Sequence, residues 1–276
     1  MIRIEGKEVK ISHFPDKTLL LKEKLSDLGK GKSEELVITW NYENNEELLS
    51  LYFLTKHCKE AGYTNLILNM PYIPNARQDR VQREEDVFTL KYFAELINSL
   101  EYSQVRVLDA HSNVSLALLN RVKQISPKEK IQQVVDIIRG ERGREPLMFY
   151  PDEGAGKRYG GMLPKAYCFG IKKRDFGNGE IKGLEVSGEI GLIAGNDVLI
   201  VDDICSYGGT FLHSAKKLHE LGAANIYLFV SHCEVSVLKG ELLSCDFIQK
   251  IYTTDSIFNK EHAKIEVLKI QNFHRY

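Results

Sequence analysis

Short apolar runs alternate along the chain with longer stretches of helical period. Seven runs are short and rich in β-branched or aromatic residues, which favours strand over helix, and they cover residues 36–40, 66–70, 105–108, 147–150, 167–169, 198–201 and 226–230. Residues 46–61 and 89–99 have the helical period, and the apolar side chains of the second stretch fall on one face. Such alternation is typical of strands joined by crossover helices in a mostly parallel sheet, so we expect an α/β protein.

A long polar stretch divides this pattern into two halves. Residues 120–144 are rich in Lys, Arg, Glu and Gln and separate the third predicted strand from the fourth. We therefore expect one domain over residues 1–135 and a second over residues 136–276. Each half contains a strand with an acidic end, at Asp109 in the first half and at Asp202 in the second. This weak internal similarity favours a duplicated, doubly wound domain with a mostly parallel sheet.

The composition excludes several classes of function. Lys and Arg (37) nearly balance Asp and Glu (38), for a formal net charge of -1, so no electrostatic argument favours nucleic acid or a membrane as a partner. The N-terminus lacks the apolar core of a signal peptide, and no stretch approaches the roughly 18 apolar residues of a membrane span, so we expect a cytoplasmic protein. The five cysteines are scattered and lack metal-binding spacing, and we interpret them as reduced thiols that mostly pack in the interior.

The strongest local signal follows the strand at 198–201, where Asp202 and Asp203 precede a loop of small residues. Adjacent glycines permit a tight turn with backbone N–H groups aimed at an anion, hydroxyl side chains add donors, and a helix begins near the end of the loop. The loop residues are Ser206, Tyr207, Gly208, Gly209 and Thr210. The two carboxylates can accept hydrogen bonds from vicinal ribose hydroxyls. An isolated Gly-Gly pair would more often be a plain turn, and an Asp-Asp pair a solvated strand end.

Five segments of the chain resemble motifs of known enzymes. Residues 198–210 resemble the PRPP-binding loop shared by type I phosphoribosyltransferases and ribose-phosphate diphosphokinases (PRPP synthetases), where PRPP is 5-phosphoribosyl-1-diphosphate. Residues 71–80, 108–112, 150–158 and 172–174 resemble the ARQD, Asp-x-His, PDxGGxxR and Lys-x-Arg motifs of the diphosphokinases, and phosphoribosyltransferases carry neither of the first two. The resemblance implies two tandem phosphoribosyltransferase-like domains with the active site in the cleft between them.

The same resemblance implies a reaction and a set of site residues. The enzyme would transfer the β,γ-diphosphoryl group of ATP to the C1 hydroxyl of ribose 5-phosphate with Mg2+, giving PRPP and AMP. ATP would bind mainly to the N-terminal domain, at Phe14, Asp16, Arg77, Gln78 and Asp79, and ribose 5-phosphate to Asp202, Asp203 and the loop that follows them. His111 and Asp152 would bind Mg2+, and Lys172, Arg174 and His111 would act in catalysis. Arg, Lys and a metal ion suit a transfer that depends on positioning and charge stabilisation.

Most of these side chains also have an ordinary structural interpretation. A His at a strand end, such as His111, is more often a plain hydrogen-bonding residue, and Asp152 can cap a helix that starts near Gly154. The basic run at 172–174 can be a solvated surface cluster. The glycine-rich residues 175–183 indicate a mobile loop, which we expect to close over the β-phosphate and exclude water.

The chain departs from the family pattern in two places. Where the family has Phe-Ser-Asp-Gly-Glu, this chain reads Phe14-Pro-Asp-Lys-Thr18. Phe14 and Asp16 correspond, so we expect stacking on adenine by Phe14, while Thr18 replaces the acidic final position. The chain also stops at Tyr276, before the last helix of typical members, so we expect a homodimer, with larger rings as the alternative. Two rival functions stay open: a phosphoribosyltransferase that consumes PRPP, and a catalytically silent partner of a PRPP synthetase.

Overall fold

Strands and helices alternate over most of the chain, as the sequence pattern predicts. A computed structural model describes residues 1–174, 181–270 and 273, and for residues 172–174 and 181–183 it describes only the backbone. Met1–Ile125 and Phe273 belong to one compact unit, and Ser126–Ile270 form a second. The elements of the first unit are β1 (Ile2–Ile4), β2 (Lys7–Glu8), β3 (Ile11–His13), β4 (Leu19–Leu21), β5 (Leu36–Trp40), α1 (Glu46–Glu60), β6 (Leu66–Asn69), α2 (Thr89–Ser99), β7 (Gln104–Leu108), α3 (Asn113–Leu118) and β8 (Val122–Ile125).

The first unit is built on a six-stranded sheet with the order β2-β1-β5-β6-β7-β8. Strands β5 to β8 are parallel neighbours in chain order, and β1 pairs with β5 in the antiparallel sense. Every residue of β6 is buried, as expected of a strand that is covered on both faces. Strands β3 and β4 form a separate hairpin.

The core of the first unit joins the sheet to its crossover helices. Helix α2 buries the face that the sequence pattern predicts, which consists of Leu90, Phe93, Ala94 and Ile97. The ring of Trp40, at the end of β5, is fully buried and lies 6.2 Å from the ring of Phe93, measured between centroids. Its indole N–H donates to Glu47 Oε2 at 3.0 Å, which helps to satisfy a buried carboxylate at the start of α1.

The second unit is built on a seven-stranded sheet with the order β11-β10-β9-β12-β13-β14-β15. Its elements are α4 (Lys128–Arg142), β9 (Leu147–Tyr150), α5 (Glu153–Tyr159), β10 (Tyr167–Arg174), β11 (Ile181–Gly188), β12 (Asp197–Cys205), α6 (Gly209–Glu220), β13 (Asn225–Cys233), β14 (Ile248–Thr254) and β15 (Ile265–Leu268). All strand pairs are parallel except β10 with β11. From β9 the chain moves first to β10 on one side and later to β12 on the other, so the topological switch point of this sheet lies between β9 and β12.

The predicted elements are confirmed, with several strands longer than their apolar runs. All seven predicted strands and both predicted helices are present. The polar stretch at 120–144, however, contains β8 and the whole of α4, and the two units meet at 125/126 in place of the predicted 135/136. The sequence analysis overlooked α4 because charged side chains on its exposed face make the segment polar on average. Its buried apolar residues lie at helical spacing and are Ile131, Val134, Val135 and Ile138.

Part of the predicted mobile loop at 175–183 belongs to a strand, since residues 181–183 are in β11. Strand β10 continues through Lys172 and Arg174, and the chain re-enters the sheet as β11 at Ile181. In the backbone register Lys172 lies opposite Leu184, and Arg174 lies opposite Ile181. Residues 175–180 lie outside the described residues, as do the side chains of Lys172 and Arg174.

Two further expectations concern the interior and the membrane. The five cysteines are all buried and all carry free thiols, as predicted. Within the described part of the chain, no helix combines the length and the apolar character that crossing a bilayer requires.

Candidate functional site

Three carboxylates and a cation gather at the switch point of the second unit. Asp152 follows the last residue of β9 by two positions, and Asp202 and Asp203 lie near the carboxyl end of β12. The charge of Asp152 is one of the smaller causes of the raised pKa of Asp202. Ligands of open α/β sheets bind at this place, outside the carboxyl ends of the strands that flank the switch point.

Arg158 is the cation of this cluster. It belongs to α5, and its Nη1 lies 3.2 Å from Oδ2 of Asp203. The Asp203 side chain is only 6% exposed and that of Arg158 is 25% exposed, so the ion pair is largely shielded from water. In the sequence Arg158 is merely the last residue of a motif, and nothing local shows that it faces Asp203, which is in a different strand.

Asp202 and Asp203 have different electrostatic surroundings although they are adjacent. Burial, followed by the charge of Asp203, raises the pKa of Asp202 well above its usual range. The backbone N–H of Asp203 donates to Asp202 Oδ1 at 2.9 Å. A protonated carboxyl beside an ionised one can donate one hydrogen bond and accept several, which suits a pair of vicinal hydroxyl groups.

The predicted anion loop lies directly between β12 and α6. Gly208 has a φ of 87°, in the left-handed region, and a Cβ there would lie 2.6 Å from the Leu242 side chain, so only glycine fits. Helix α6 begins at Gly209, close to the predicted start at Thr210, and its first backbone N–H groups are therefore available to an anion. The strand, loop and helix follow one another as the sequence predicts, and phosphate binding by the loop stays a prediction.

A second segment, which the sequence analysis missed, holds this loop in place. Residues 234–244 follow β13 and contain two short 3-10 helices. A Cβ on Gly240 would lie 2.0 Å from the backbone oxygen of Tyr207, so the two backbones are in direct contact. Ser236 Oγ lies 3.1 Å from Ser206 Oγ. The local sequence offers one glycine in a short segment of mixed polar and apolar residues, which is too common a pattern to identify a site.

Asp152 has the capping role that the sequence analysis offered as its structural alternative. Its Oδ1 accepts from the backbone N–H of Ala155 at 3.0 Å, and α5 begins at the next residue, Glu153. The cap orients the first turn of the helix that carries Arg158. A role in binding and a role in capping are compatible, because a carboxylate accepts several hydrogen bonds.

The described residues fit Mg2+ only as an ion that substrate phosphates help to bind. Nowhere in residues 1–174 and 181–270 do three or more His, Cys, Asp or Glu side chains come close enough together to hold a metal ion. Mg2+ in nucleotide enzymes is often bound by one or two carboxylates, waters and the substrate phosphates, and Asp152 suits that arrangement. His111 offers nitrogen, which Mg2+ accepts less readily than oxygen, so it fits a phosphate contact better.

His111 lies at the carboxyl edge of the sheet in the first unit. Asp109, which follows β7, is fully buried and has a φ of 43°, an unusual value for a residue other than glycine. The chain turns there, and the half-buried His111 lies two residues later, just before Ser112 and helix α3. The predicted acidic strand end is therefore interior, and the histidine next to it is the accessible group.

Arg77 and Gln78 lie on the connection between β6 and α2, and both are exposed. The Gln78 carboxamide oxygen accepts from the Thr89 hydroxyl at 2.7 Å, which fixes the side chain against the start of α2. Asp79 is buried and accepts from Arg80 Nε at 3.0 Å. Arg77 and Gln78 can reach a ligand, whereas Asp79 is better placed to support the connection.

Phe14 and Asp16 lie at the turn of the β3–β4 hairpin. Phe14 is 49% exposed, so its ring is available for stacking. Asp16 Oδ1 accepts from the Thr18 hydroxyl at 2.7 Å and from the Thr18 N–H at 3.0 Å, and these bonds lower the pKa of Asp16. Thr18, where the chain departs from the family motif, thus orients the acid two residues before it. His13 Nε2 lies 2.5 Å from Glu46 Oε1 and ties the hairpin to α1.

Comparisons with known proteins identify the family and the fold. The chain is 30% identical over 228 residues to a ribose-phosphate pyrophosphokinase of Pyrococcus abyssi, which covers 81% of this chain and 75% of the relative. It is 25% identical over 268 residues to a ribose-phosphate pyrophosphokinase of Fusobacterium nucleatum, over 95% and 82% of the two chains. A crystal structure of phosphoribosylpyrophosphate synthetase from Mycobacterium smegmatis matches with a TM-score of 0.75 and 15% identity, over 95% and 86% of the chains. No family model matches.

Replacing Gly240 by Ala should weaken the binding of inorganic phosphate by roughly tenfold or more, because the new methyl group displaces the loop and its hydrogen-bond donors. Isothermal titration calorimetry with phosphate measures the change. Gly191→Ala is the control, since a Cβ at Gly191 would meet no atom within 4 Å. Equal affinity of the Gly240→Ala variant and the unmodified protein would show that residues 234–244 do not hold the loop.

Proposed function

We propose a role in the reaction for individual residues of this chain, which belongs to the ribose-phosphate pyrophosphokinase family and is an enzyme of that class. The reaction moves the β,γ-diphosphoryl group of ATP to the C1 hydroxyl of ribose 5-phosphate and gives PRPP and AMP. One observation carries the assignment of the sugar site. The anion loop and the two carboxylates belong to one strand–loop–helix segment at the switch point of the second unit.

Ribose 5-phosphate binds to this segment by both ends. The 5-phosphate accepts hydrogen bonds from the backbone N–H groups at Gly208, Gly209 and Thr210, where the positive end of α6 favours an anion. The 2- and 3-hydroxyls of the ribose bind Asp202 and Asp203, whose different surroundings provide both a donor and acceptors. The C1 hydroxyl is then left facing outward, as an attacking group must be.

ATP binds to the first unit. Arg77 is exposed and its guanidinium suits the phosphates, while the amide N–H2 of Gln78 can donate to the nucleotide, since its oxygen is bound to Thr89. The exposed ring of Phe14 suits stacking on the base. His111 donates to phosphate oxygens from the edge of the sheet.

The transfer itself depends on position and charge. The C1 oxygen attacks the β-phosphorus, the bond from that phosphorus to the oxygen of the α-phosphate breaks, and the C1 hydroxyl proton is released to solvent or to a neighbouring base. The departing AMP carries the new negative charge, and Arg77, Lys172 and Arg174 stabilise charge on the phosphates. Mg2+, when bound, neutralises part of the diphosphate charge, with Asp152 as the protein group that supports it.

We also propose that the chain works in the cytoplasm as a homodimer. Leu49 and Phe53 are exposed apolar side chains one turn apart on the same face of α1, and neighbouring exposed apolar side chains are typical of an interface. Light scattering of the purified chain should give about twice the mass of one chain. Phe53→Glu should shift it towards monomer, and Val235→Glu, a change on the second unit, should not. A monomer at micromolar concentration would contradict the proposal.

The purified chain with ATP, Mg2+ and ribose 5-phosphate should release AMP and PRPP in equal amounts, followed together by anion-exchange chromatography. Omitting ribose 5-phosphate or adding excess chelator should stop both products. The Lys172→Ala variant controls for contaminating activity and should lose turnover with little change in KM, since its contact is proposed to strengthen in the transition state. Intact ATP in the complete reaction would instead favour a silent partner subunit.

Arg158→Gln should raise the KM for ribose 5-phosphate by roughly tenfold while kcat changes less, because Asp203 loses the cation that orients it for the ribose hydroxyls. Initial rates at varied ribose 5-phosphate measure the split between KM and kcat. Lys157→Gln is the matched control on the same helix, since Lys157 pairs with the exposed Glu153. Equal KM values for the two variants would contradict the proposed role of Arg158 in binding ribose 5-phosphate.

A further inference from the structure

A chain of hydrogen bonds leads from a carboxylate into the phosphate loop. Glu234 Oε2 lies 3.2 Å from Ser236 Oγ, and Ser236 Oγ lies 3.1 Å from Ser206 Oγ, the first residue of the loop. The backbone N–H of Glu234 donates to the Cys205 oxygen at 2.8 Å. Because Cys205 precedes Ser206, this bond fixes Glu234 beside the loop.

The direction of donation along this chain follows from the donor count. An ionised carboxylate only accepts, and each serine hydroxyl has a single hydrogen. Ser236 therefore gives its hydrogen to Glu234, and Ser236 Oγ is left to accept. Ser206 then gives its hydrogen to Ser236, so Ser206 has no hydrogen to offer to a phosphate while the chain of bonds is intact. The sequence analysis treated Ser206 as a phosphate donor, and the structure opposes that role.

We propose that Glu234 is a positioning residue that, through Ser236, turns the Ser206 hydroxyl away from the 5-phosphate and thereby limits the affinity of the loop. This inference rests on the proposed sugar-phosphate site. Ribose 5-phosphate and PRPP carry the same 5-phosphate, so an extra hydrogen bond to it would hold substrate and product alike. Such uniform binding slows product release without lowering the barrier of the transfer.

The Glu234→Gln variant should reverse the chain of bonds. The amide N–H2 can donate to Ser236, which then donates to Ser206, and a bound phosphate favours this orientation because it receives the Ser206 hydrogen. Gln has nearly the shape of Glu, so the packing of the segment stays the same. Affinity for inorganic phosphate and for ribose 5-phosphate should rise about three- to tenfold, as measured by isothermal titration calorimetry.

Removing a negative charge near an anion site also raises affinity, so two controls separate that effect. Glu241→Gln removes a carboxylate from the same segment without touching Ser236 and should leave the affinity nearly unchanged. In a Ser236→Ala background the chain of bonds is absent, and Glu234→Gln should then give only the smaller gain that comes from the lost charge. This double-mutant cycle isolates the contribution of the bond chain from that of the charge.

Each outcome decides the matter. A gain that is larger with Ser236 than with Ser236→Ala supports the proposal, and an equal gain in both backgrounds, or no gain at all, overturns it. Product analysis of the unmodified chain tests the proposed function separately. If PRPP forms while Glu234→Gln leaves phosphate affinity unchanged, only this inference fails. If no PRPP forms although the Ser236-dependent gain is measured, the role of the bond chain is supported and the proposed function is contradicted.

Discussion

A carboxylate can remain in the interior of a sheet only if a cation or hydrogen-bond donors compensate for its lost hydration. Asp203 meets this requirement through Arg158, at 3.2 Å. Arg158 reaches it because α5 starts at the cap formed by Asp152, six residues earlier, and packs against β12. The Asp152 cap, helix α5 and Arg158 together therefore position the cation that compensates Asp203 at the switch point. Without the cation, the acid that we assign to the ribose hydroxyls would be costly to bury in an ionised form.

The loop that follows this acid depends on close backbone contact. Gly208 meets Leu242, and Gly240 meets the oxygen of Tyr207, so neither position has room for a side chain. This packing positions the backbone donors of the loop before any ligand binds, which reduces the entropy that binding must overcome. The same packing brings Ser236 and Glu234 beside Ser206. A rigid backbone therefore carries a hydroxyl whose direction a neighbouring acid controls.

The two units use similar sheets in different ways. In the second unit the candidate sugar-phosphate groups lie on a strand end and the loop that leads into the next helix. In the first unit the candidate nucleotide groups are spread over a hairpin and the long connection between β6 and α2, with only His111 at the strand edge. Connections of this kind tolerate sequence change better than strand ends, because fewer buried contacts depend on them. This is consistent with Phe14-Pro-Asp-Lys-Thr18 being the motif in which the chain departs from its family.

The sequence by itself determined the features whose parts are adjacent in the chain. The strands and helices follow from apolar runs and helical period, and the anion loop from one strand–loop–helix segment. The cap at Asp152 and the start of α6 are equally local. The polar stretch at 120–144 led to a wrong domain boundary, because a helix that buries only one face has the average composition of a linker. Only the tertiary structure decided which distant residues meet. Arg158 faces Asp203, and Glu234 faces the loop at Ser206, because the order of strands in the sheet makes β9, β12 and β13 neighbours, and no local pattern specifies that order.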